Sequence, residues 1–373
     1  MVSIQLHHHV PLDSRLWTEW KALSGSVPMC QPEWLMTWWD VYAPAGADLF
    51  LVGMYEDDRL VGLAPWYRLG SEREVRMLGD GIVCTDYCSI LVDTKRDDHA
   101  ALQGILVEWL MHHRDDQDIG WNSLVWEGIP ETDTLLHEMA GALSEQGCMT
   151  LQRNPMNTWC IDLSEGWDAF LIRIRKDTRK LIRRRLETLE QATVHWVRTS
   201  DDWHHYFQVL VDLHQRRRNS IGEAGCFADP RFARFLETAS LRLLASGQLQ
   251  AFYLECGGRP IAADIGFRSN THWYCYQGGI EPDALELEPG KMANVWIMSQ
   301  AESQGIQYVD FLRGDEPYKR QLRAEPTPIH DLWIAPPGLR GLTQKWWWQS
   351  RQMVSHTAKS FLESLSIPIP SSR

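Results

Sequence analysis

Positive charge is in short supply in this chain. Lys and Arg number 37 against 49 Asp and Glu, a formal net charge of -12. That balance argues against indiscriminate nucleic-acid binding and leaves only local basic patches to meet anionic partners. No stretch approaches the ~18 uninterrupted apolar residues of a membrane-spanning helix. The opening MVSIQLHHHVPLDSRLW lacks the apolar core of a secretory signal. The 8 cysteines never form a CxxC pair, so neither a zinc site nor a dense disulfide framework is indicated. They read as small buried residues in a reducing, cytoplasmic compartment. HExxH and GxSxG are missing, which removes two familiar hydrolytic chemistries. His7 to His9 read as a solvated terminal segment, and His204, His205 and His214 as surface or core histidines with poor ligand spacing, so no metal is expected.

What is present is an ordinary globular balance, 44% hydrophobic and 23% charged residues over 373, enough for two domains with sizeable cores. The 19 tryptophans are the oddity; most suit packing, while Trp346-Trp347-Trp348 forms a candidate interface.

An internal repeat organises the chain. Residues 49–68 (LFLVGMYEDDRLVGLAPWYR) read as a hairpin, and residues 250–268 (QAFYLECGGRPIAADIGFR) repeat the plan. A strand at 87–92, a helix at 98–113, a strand at 123–127 and a helix at 132–146 are expected after the first hairpin. After the second come a strand at 273–277, a helix at 290–304, a strand at 307–312, a short helix at 317–322 and a strand at 329–334. Such an order predicts mixed sheets with helices on their faces. Between the halves, 171–192 reads as one amphipathic helix with a basic side from Arg173 to Arg185. Helices are expected at 203–218, 230–246 and 342–365.

Several stretches carry a family resemblance: QPEWLMTWW (31–39), RLVGLAPWY (59–67), DYCSILVD (86–93), RKDTRKLIRRRLETLE (175–190), GRPIAADIGF (258–267) and EPGKMANVWIMSQAESQGIQYVDFLRGDEPYKRQL (288–322). The chain resembles the GNAT (Gcn5-related N-acetyltransferase) superfamily, within it the tandem-domain CelD/BcsL-type (cellulose-biosynthesis) acetyltransferases, distant relatives of the Fem aminoacyl transferases. The resemblance implies an α/β (α+β) fold of two GNAT-like domains, each a mixed β-sheet flanked by helices, plus a C-terminal helix. Residues 1–165 are expected to form a degenerate first domain, 166–192 a basic connecting helix, 193–338 an acyl-CoA-binding domain, and 339–373 a helix and tail.

An acyl-CoA enzyme must hold a diphosphate, polarise a thioester carbonyl and manage a proton. A helix start with unpaired N–H groups suits the first task. Glu288-Pro289-Gly290-Lys291-Met292-Ala293-Asn294 fits by position, although the glycine-rich Q/R-x-x-G-x-G/A of single-domain GNAT proteins is missing and Glu288 opposes phosphate. Asp97-Asp98 at the matching start of the first half repel a phosphate, which places the donor in the second half and leaves the first as structural or acceptor-binding. Gln277-Gly278-Gly279 suit either a strand that parts from its neighbour and turns N–H groups toward the carbonyl or a strand that simply ends in a glycine turn. Asp264 interrupts an apolar strand beside small residues, so it is either a base or half of a salt bridge. Asp310, near a strand end, either serves the site or caps the Arg313-Gly314 turn. The resemblance implies that Tyr318 protonates the leaving thiolate and that Lys319 neutralises charge; a packed tyrosine and a salt-bridged lysine are the alternatives.

The expected activity is acyl transfer from acetyl-CoA or another acyl-CoA to an amine or a sugar hydroxyl, by direct attack in a ternary complex. Two alternatives stand beside it. One is an aminoacyl-tRNA donor, motivated by the basic helix. The other is a non-catalytic partner in an envelope polysaccharide or secondary-metabolite pathway.

Overall fold

A computed structural model describes residues 2–96 and 98–338. The first half comprises β1 (Ser3–His7), α1 (Arg15–Leu23), α2 (Pro32–Tyr42), β2 (Ala47–Glu56), β3 (Arg59–Leu69), β4 (Glu74–Met77), β5 (Leu91–Val92), α3 (His99–His112), β6 (Ser123–Pro130), α4 (Thr134–Glu145) and β7 (Met149–Asp162). The connection holds α5 (Trp167–Arg173) and α6 (Lys176–Leu189). The second half runs β8 (Thr193–Trp196), α7 (Ser200–Ser220), α8 (Pro230–Ala245), β9 (Leu249–Cys256), β10 (Arg259–Arg268), β11 (His272–Ile280), α9 (Pro289–Ala301), β12 (Tyr308–Arg313), α10 (Pro317–Gln321) and β13 (Glu325–Ala335).

All strands among the described residues join one mixed sheet in the order β1-β2-β3-β4-β6-β13-β7-β12-β11-β10-β9-β8, with β5 on β3. Two parallel pairs, β4 with β6 and β11 with β12, sit at matching places in the two halves. The other ladders are antiparallel. The halves are stitched by exchange. The last described strand, β13, lies between β6 and β7, whereas β7 pairs with β12 of the second half as well as with β13.

The hairpins lie where the repeat puts them. Other expectations are corrected. The strand that follows the first hairpin is β4, not 87–92, of which only Leu91–Val92 pairs. EREVRM is too charged and short to announce itself by hydrophobicity, yet its register with β6 is what joins the first hairpin to the rest of the sheet. Residues 171–192 are not one helix, because Ile174 is extended (ψ 158°) and buries its side chain between α5 and α6. Arg185 does not share the solvated basic face; it is buried. The His7–His9 segment is not loose either, since His7 Nε2 meets the Tyr55 hydroxyl at 2.9 Å and His8 Nδ1 meets the Leu49 carbonyl at 2.9 Å. The expected helix at 342–365 and Trp346–Trp348 lie outside the described residues.

Two apolar layers flank the second half of the sheet. Tyr206, Leu210 and Leu213 of α7 pack on Ala263, Ile265 and Phe267 of β10. On the opposite face α6 and α9 pack on Ile261, Ala262 and Trp273. Helix α7 starts firmly because Thr199 and Asp202 form a reciprocal capping box. It also sits close to the sheet. A Cβ on Gly279 would collide with the backbone of Leu213 and His214, so only glycine lets α7 lie there.

Candidate active site

The middle of the second half splits open. Strands β11 and β12 are paired only at His272–Tyr308, Trp273–Val309 and Tyr274–Asp310. Beyond Tyr274 they diverge, and the backbone groups on that edge of β11 lose their strand partner. Both strands are deformed at the fork. On β11 the register with β10 slips between Gly266–Cys275 and Ile265–Gln277, which makes Tyr276 a bulge. On β12 Leu312 takes a left-handed φ of 55°.

Two buried charges hold that bend. The Asp310 carboxylate accepts from the Leu312 N–H at 2.7 Å and from the Tyr87 hydroxyl. The Lys319 ammonium donates to the carbonyls of Leu312 (3.2 Å), Arg313 (3.0 Å) and Gly314 (2.9 Å) and pairs with Glu316 at 2.9 Å. Its three N–H donors face four acceptors, so none is left over. Asp310 does not line the cleft described next. Burial pushes its carboxyl up to about 7.

The fork opens into a cleft of about 820 Å³. Gln277, Gly278 and Gly279 line one wall, and Phe311, Leu312 and Tyr318 line another. The start of α9 closes one end with Glu288, Pro289, Gly290, Lys291, Ala293 and Asn294. Met292 does not join them, because its side chain is fully buried in the α6–α9 core. Glu288, the sequence's counter-signal to a phosphate, is answered by its neighbours. It pairs with Lys291 at 2.6 Å and with the buried Arg185, whose guanidinium also donates to the Leu287 carbonyl at 3.2 Å. The Lys291 hydrogen bond, with help from Arg185, holds its carboxyl below the usual range. One negative and two positive charges leave this helix start net cationic, and the Gly290 N–H lies within the first turn, where helices bind anions.

Asp264 lines the cleft, and its Oδ1 is buried with no hydrogen-bond partner. The expected alternative of a salt bridge is not realised among the described residues. Burial alone pushes its carboxyl up to about 7. The Tyr206 hydroxyl holds the Asp264 backbone by donating to its carbonyl at 2.7 Å. Tyr318 lines the same space, its ring edge-on to Phe311 at 5.7 Å, and burial raises its hydroxyl strongly.

The first half contributes a wall that sequence reading missed. Cys84 and Asp86 line the cleft. Their loop is tied down at three points. Arg313 Nε and its backbone N–H donate to the Asp86 carboxylate, and Arg313 Nη2 donates to the Thr85 carbonyl at 2.8 Å. Tyr276 donates to the Val83 carbonyl at 2.7 Å, and Tyr87 donates to Asp310. His214, Arg217 and Arg218 were also missed. Their signal in sequence is a basic run at a helix end, which is equally the pattern of a solvated surface.

Residues 173–320 match the protein family described as "Acetyltransferase (GNAT) domain". No curated protein matches the chain. Among solved structures, FemX aligns over 88% of this chain and 96% of its own at 11% identity and TM-score 0.61. A conserved protein of unknown function from Bacteroides thetaiotaomicron aligns over 89% and 100% at 10% identity and TM-score 0.55. The C-terminal domain (DUF2156) of a putative lysylphosphatidylglycerol synthetase from Agrobacterium fabrum aligns over 88% and 94% at 11% identity and TM-score 0.54. These likenesses concern the mixed α/β fold and its large sheet. The matched segment runs from the end of α5 into α10 and so encloses the bulged strand, the fork and the start of α9, which is where the chain is similar to a GNAT acetyltransferase domain.

Proposed function

We propose that the second half transfers an acyl group from acyl-CoA directly to an amine, with the first half forming the acceptor side of the cleft. The observation that carries this is the meeting, in one cleft, of a forked strand pair, a net cationic helix start and an unpartnered buried carboxylate. The diphosphate is held at Gly290, Lys291 and Asn294. Unpaired N–H groups of β11 past Tyr274 receive the thioester oxygen as negative charge develops on it, an effect worth roughly 3 kcal/mol per donor. Asp264 takes the proton from the attacking ammonium-derived nitrogen. A carboxyl that titrates near neutrality is suited to this, because a base works best when its pKa lies close to the working pH. Tyr318 gives its proton to the departing thiolate; a raised pKa keeps that proton in place until it is needed. Asp310 and Lys319 we assign to holding the fork rather than to the reaction. The sequence likeness to the CelD/BcsL-type branch belongs to the same reading.

Calorimetry with acetyl-CoA and longer acyl-CoAs tests the donor. Absence of binding to every CoA tried removes the proposal. For the base, Asp264→Asn is expected to keep acyl-CoA affinity and lower kcat by roughly a hundredfold or more. An unchanged kcat assigns the proton to another group.

A second reading rests on the exposed Arg175, Lys176, Lys180, Arg183 and Arg184 of the connecting helices. They suit an aminoacyl-tRNA donor, which requires tRNA binding that weakens steeply with salt and is lost on neutralising Arg183 and Arg184.

A further inference from the structure

A cysteine, a histidine and a glutamine stand in line beside the acyl cleft, and the transfer reaction above uses none of them. His214 lines the cleft from α7, on the face of the sheet opposite α9. Its Nδ1 lies 3.1 Å from Gln215 Oε1, and Gln215 Nε2 donates to the Ala224 carbonyl at 2.9 Å. The second bond fixes which end of the amide is oxygen, so Nδ1 of His214 must carry the proton and Nε2 is left as the acceptor. Nε2 faces Cys226 Sγ at 3.5 Å, within reach of an S–H donor. Gln277, another cleft residue, donates from Nε2 to the same sulfur at 3.3 Å, and its Oε1 is held by the Gly278 N–H at 3.1 Å.

The backbone is shaped around this group. Gly225 has a left-handed φ of 74°, and a Cβ there would strike Gln215 Oε1, so the glycine immediately before Cys226 makes room for the amide that orients His214. Burial lowers the pKa of His214, which keeps the ring neutral and able to accept. Burial likewise pushes the Cys226 thiol up to about 12, so the sulfur stays protonated until a base removes its proton. Nucleophile, base and orienting group are thus all in the neutral forms that general-base activation needs.

We propose that Cys226, activated by His214 and oriented through Gln215, is an acyl acceptor that takes the acyl group from the thioester in the neighbouring cleft. The inference rests on the acyl-CoA reading of that cleft for its natural donor. Cys226 Sγ attacks the carbonyl carbon, forming the new S–C bond. The S–C bond to CoA breaks, and the thiol proton passes through His214 Nε2 to the departing thiolate. One thioester is exchanged for another, with no net oxidation or reduction. The fork makes the transfer possible, because it lets a donor anchored on the α9 face reach through the sheet to the α7 face.

The test is mass spectrometry of the full chain after incubation with acetyl-CoA, and separately with S-acetyl-N-acetylcysteamine, a small thioester that needs no CoA site. The expected result is a hydroxylamine-labile acetyl group on Cys226 with both donors. Cys226→Ala loses it while still binding acetyl-CoA, and His214→Gln and Gln215→Leu, each checked for folding by circular dichroism, slow its formation, the former by roughly a hundredfold. Label on Cys84 or Cys275 instead overturns the proposal. So does a folded protein that binds acetyl-CoA yet stays unlabelled by either donor, an outcome that leaves the direct-transfer reading intact. Labelling by the small thioester without any CoA binding keeps the Cys226 acceptor and removes the CoA reading.

Discussion

Asp264, the proposed base, is a side chain whose burial works against stability. Its native pKa near 7 stands above its ordinary value of 3.8, because burial disfavours the charged form. Between those two values the unfolded chain has lost the proton that the native one still holds. Stability therefore falls as pH rises through that window and levels off above it. Asp264→Asn is expected to melt higher than wild type at pH 8 and to flatten the decline in melting temperature between pH 5 and 8, while kcat collapses. If the base assignment is right, wild-type kcat/KM in turn drops below about pH 7 as Asp264 protonates. Lys319 predicts the opposite combination. Lys319→Met leaves three carbonyls and Glu316 without their donor, and urea unfolding is expected to show a loss on the order of 3 kcal/mol or more. Were Lys319 instead only a surface ion pair, the loss would stay below about 1 kcal/mol.

At the level of elements, the anion site proposed at the start of α9 is tuned by α6. Arg185 and Lys291 offset Glu288 at the helix start. Glu288→Gln is expected to tighten acetyl-CoA binding, and Arg185→Ala to weaken it by roughly tenfold, the scale of one partly buried charge. In the double variant the two effects should offset each other in calorimetry. Gly279→Ala tests the packing of α7 on β11. A methyl group that meets helix backbone must displace the helix, at an expected cost of about 1–3 kcal/mol in a chemical-denaturation curve.

At the scale of the whole molecule, exchange of β7 and β13 means that neither half owns its sheet. A chain ending at residue 324 lacks β13 and leaves the inner edges of β6 and β7 bare. Both halves, not only the second, are expected to lose their cooperative melting transition in calorimetry. A stable first half in that truncation would refute the shared core. The same arrangement carries the Asp86 loop into the cleft, held by Arg313. Arg313→Ala is expected to raise KM for the acceptor while leaving acetyl-CoA affinity near wild type.

Much of this was legible in the residues. The paired hairpins, the helix beginning at Pro289 and the isolated acid in IAADIGF are local patterns, and each appears where alternation, Pro-Gly punctuation and a misplaced charge put it. Other features were beyond reach. Strand β4 is too short and charged to stand out, and only its register with β6 makes it a strand. Asp264 and Asp310 look alike as acids on apolar strands, yet one has an orphan oxygen and the other receives a backbone N–H and a tyrosine hydroxyl. Lys319 and Tyr318 are neighbours in sequence and both border the cleft, but the ammonium is consumed by three carbonyls and Glu316. The amino-acid order by itself determined the paired hairpins, most of the helices and the repeat, because these depend on periodicity and charge within a few residues. Tertiary structure decided which charges are satisfied, how β13 crosses between the halves, and that the first half lends a wall to the cleft, because each depends on contacts between residues as far apart as Asp86 and Arg313.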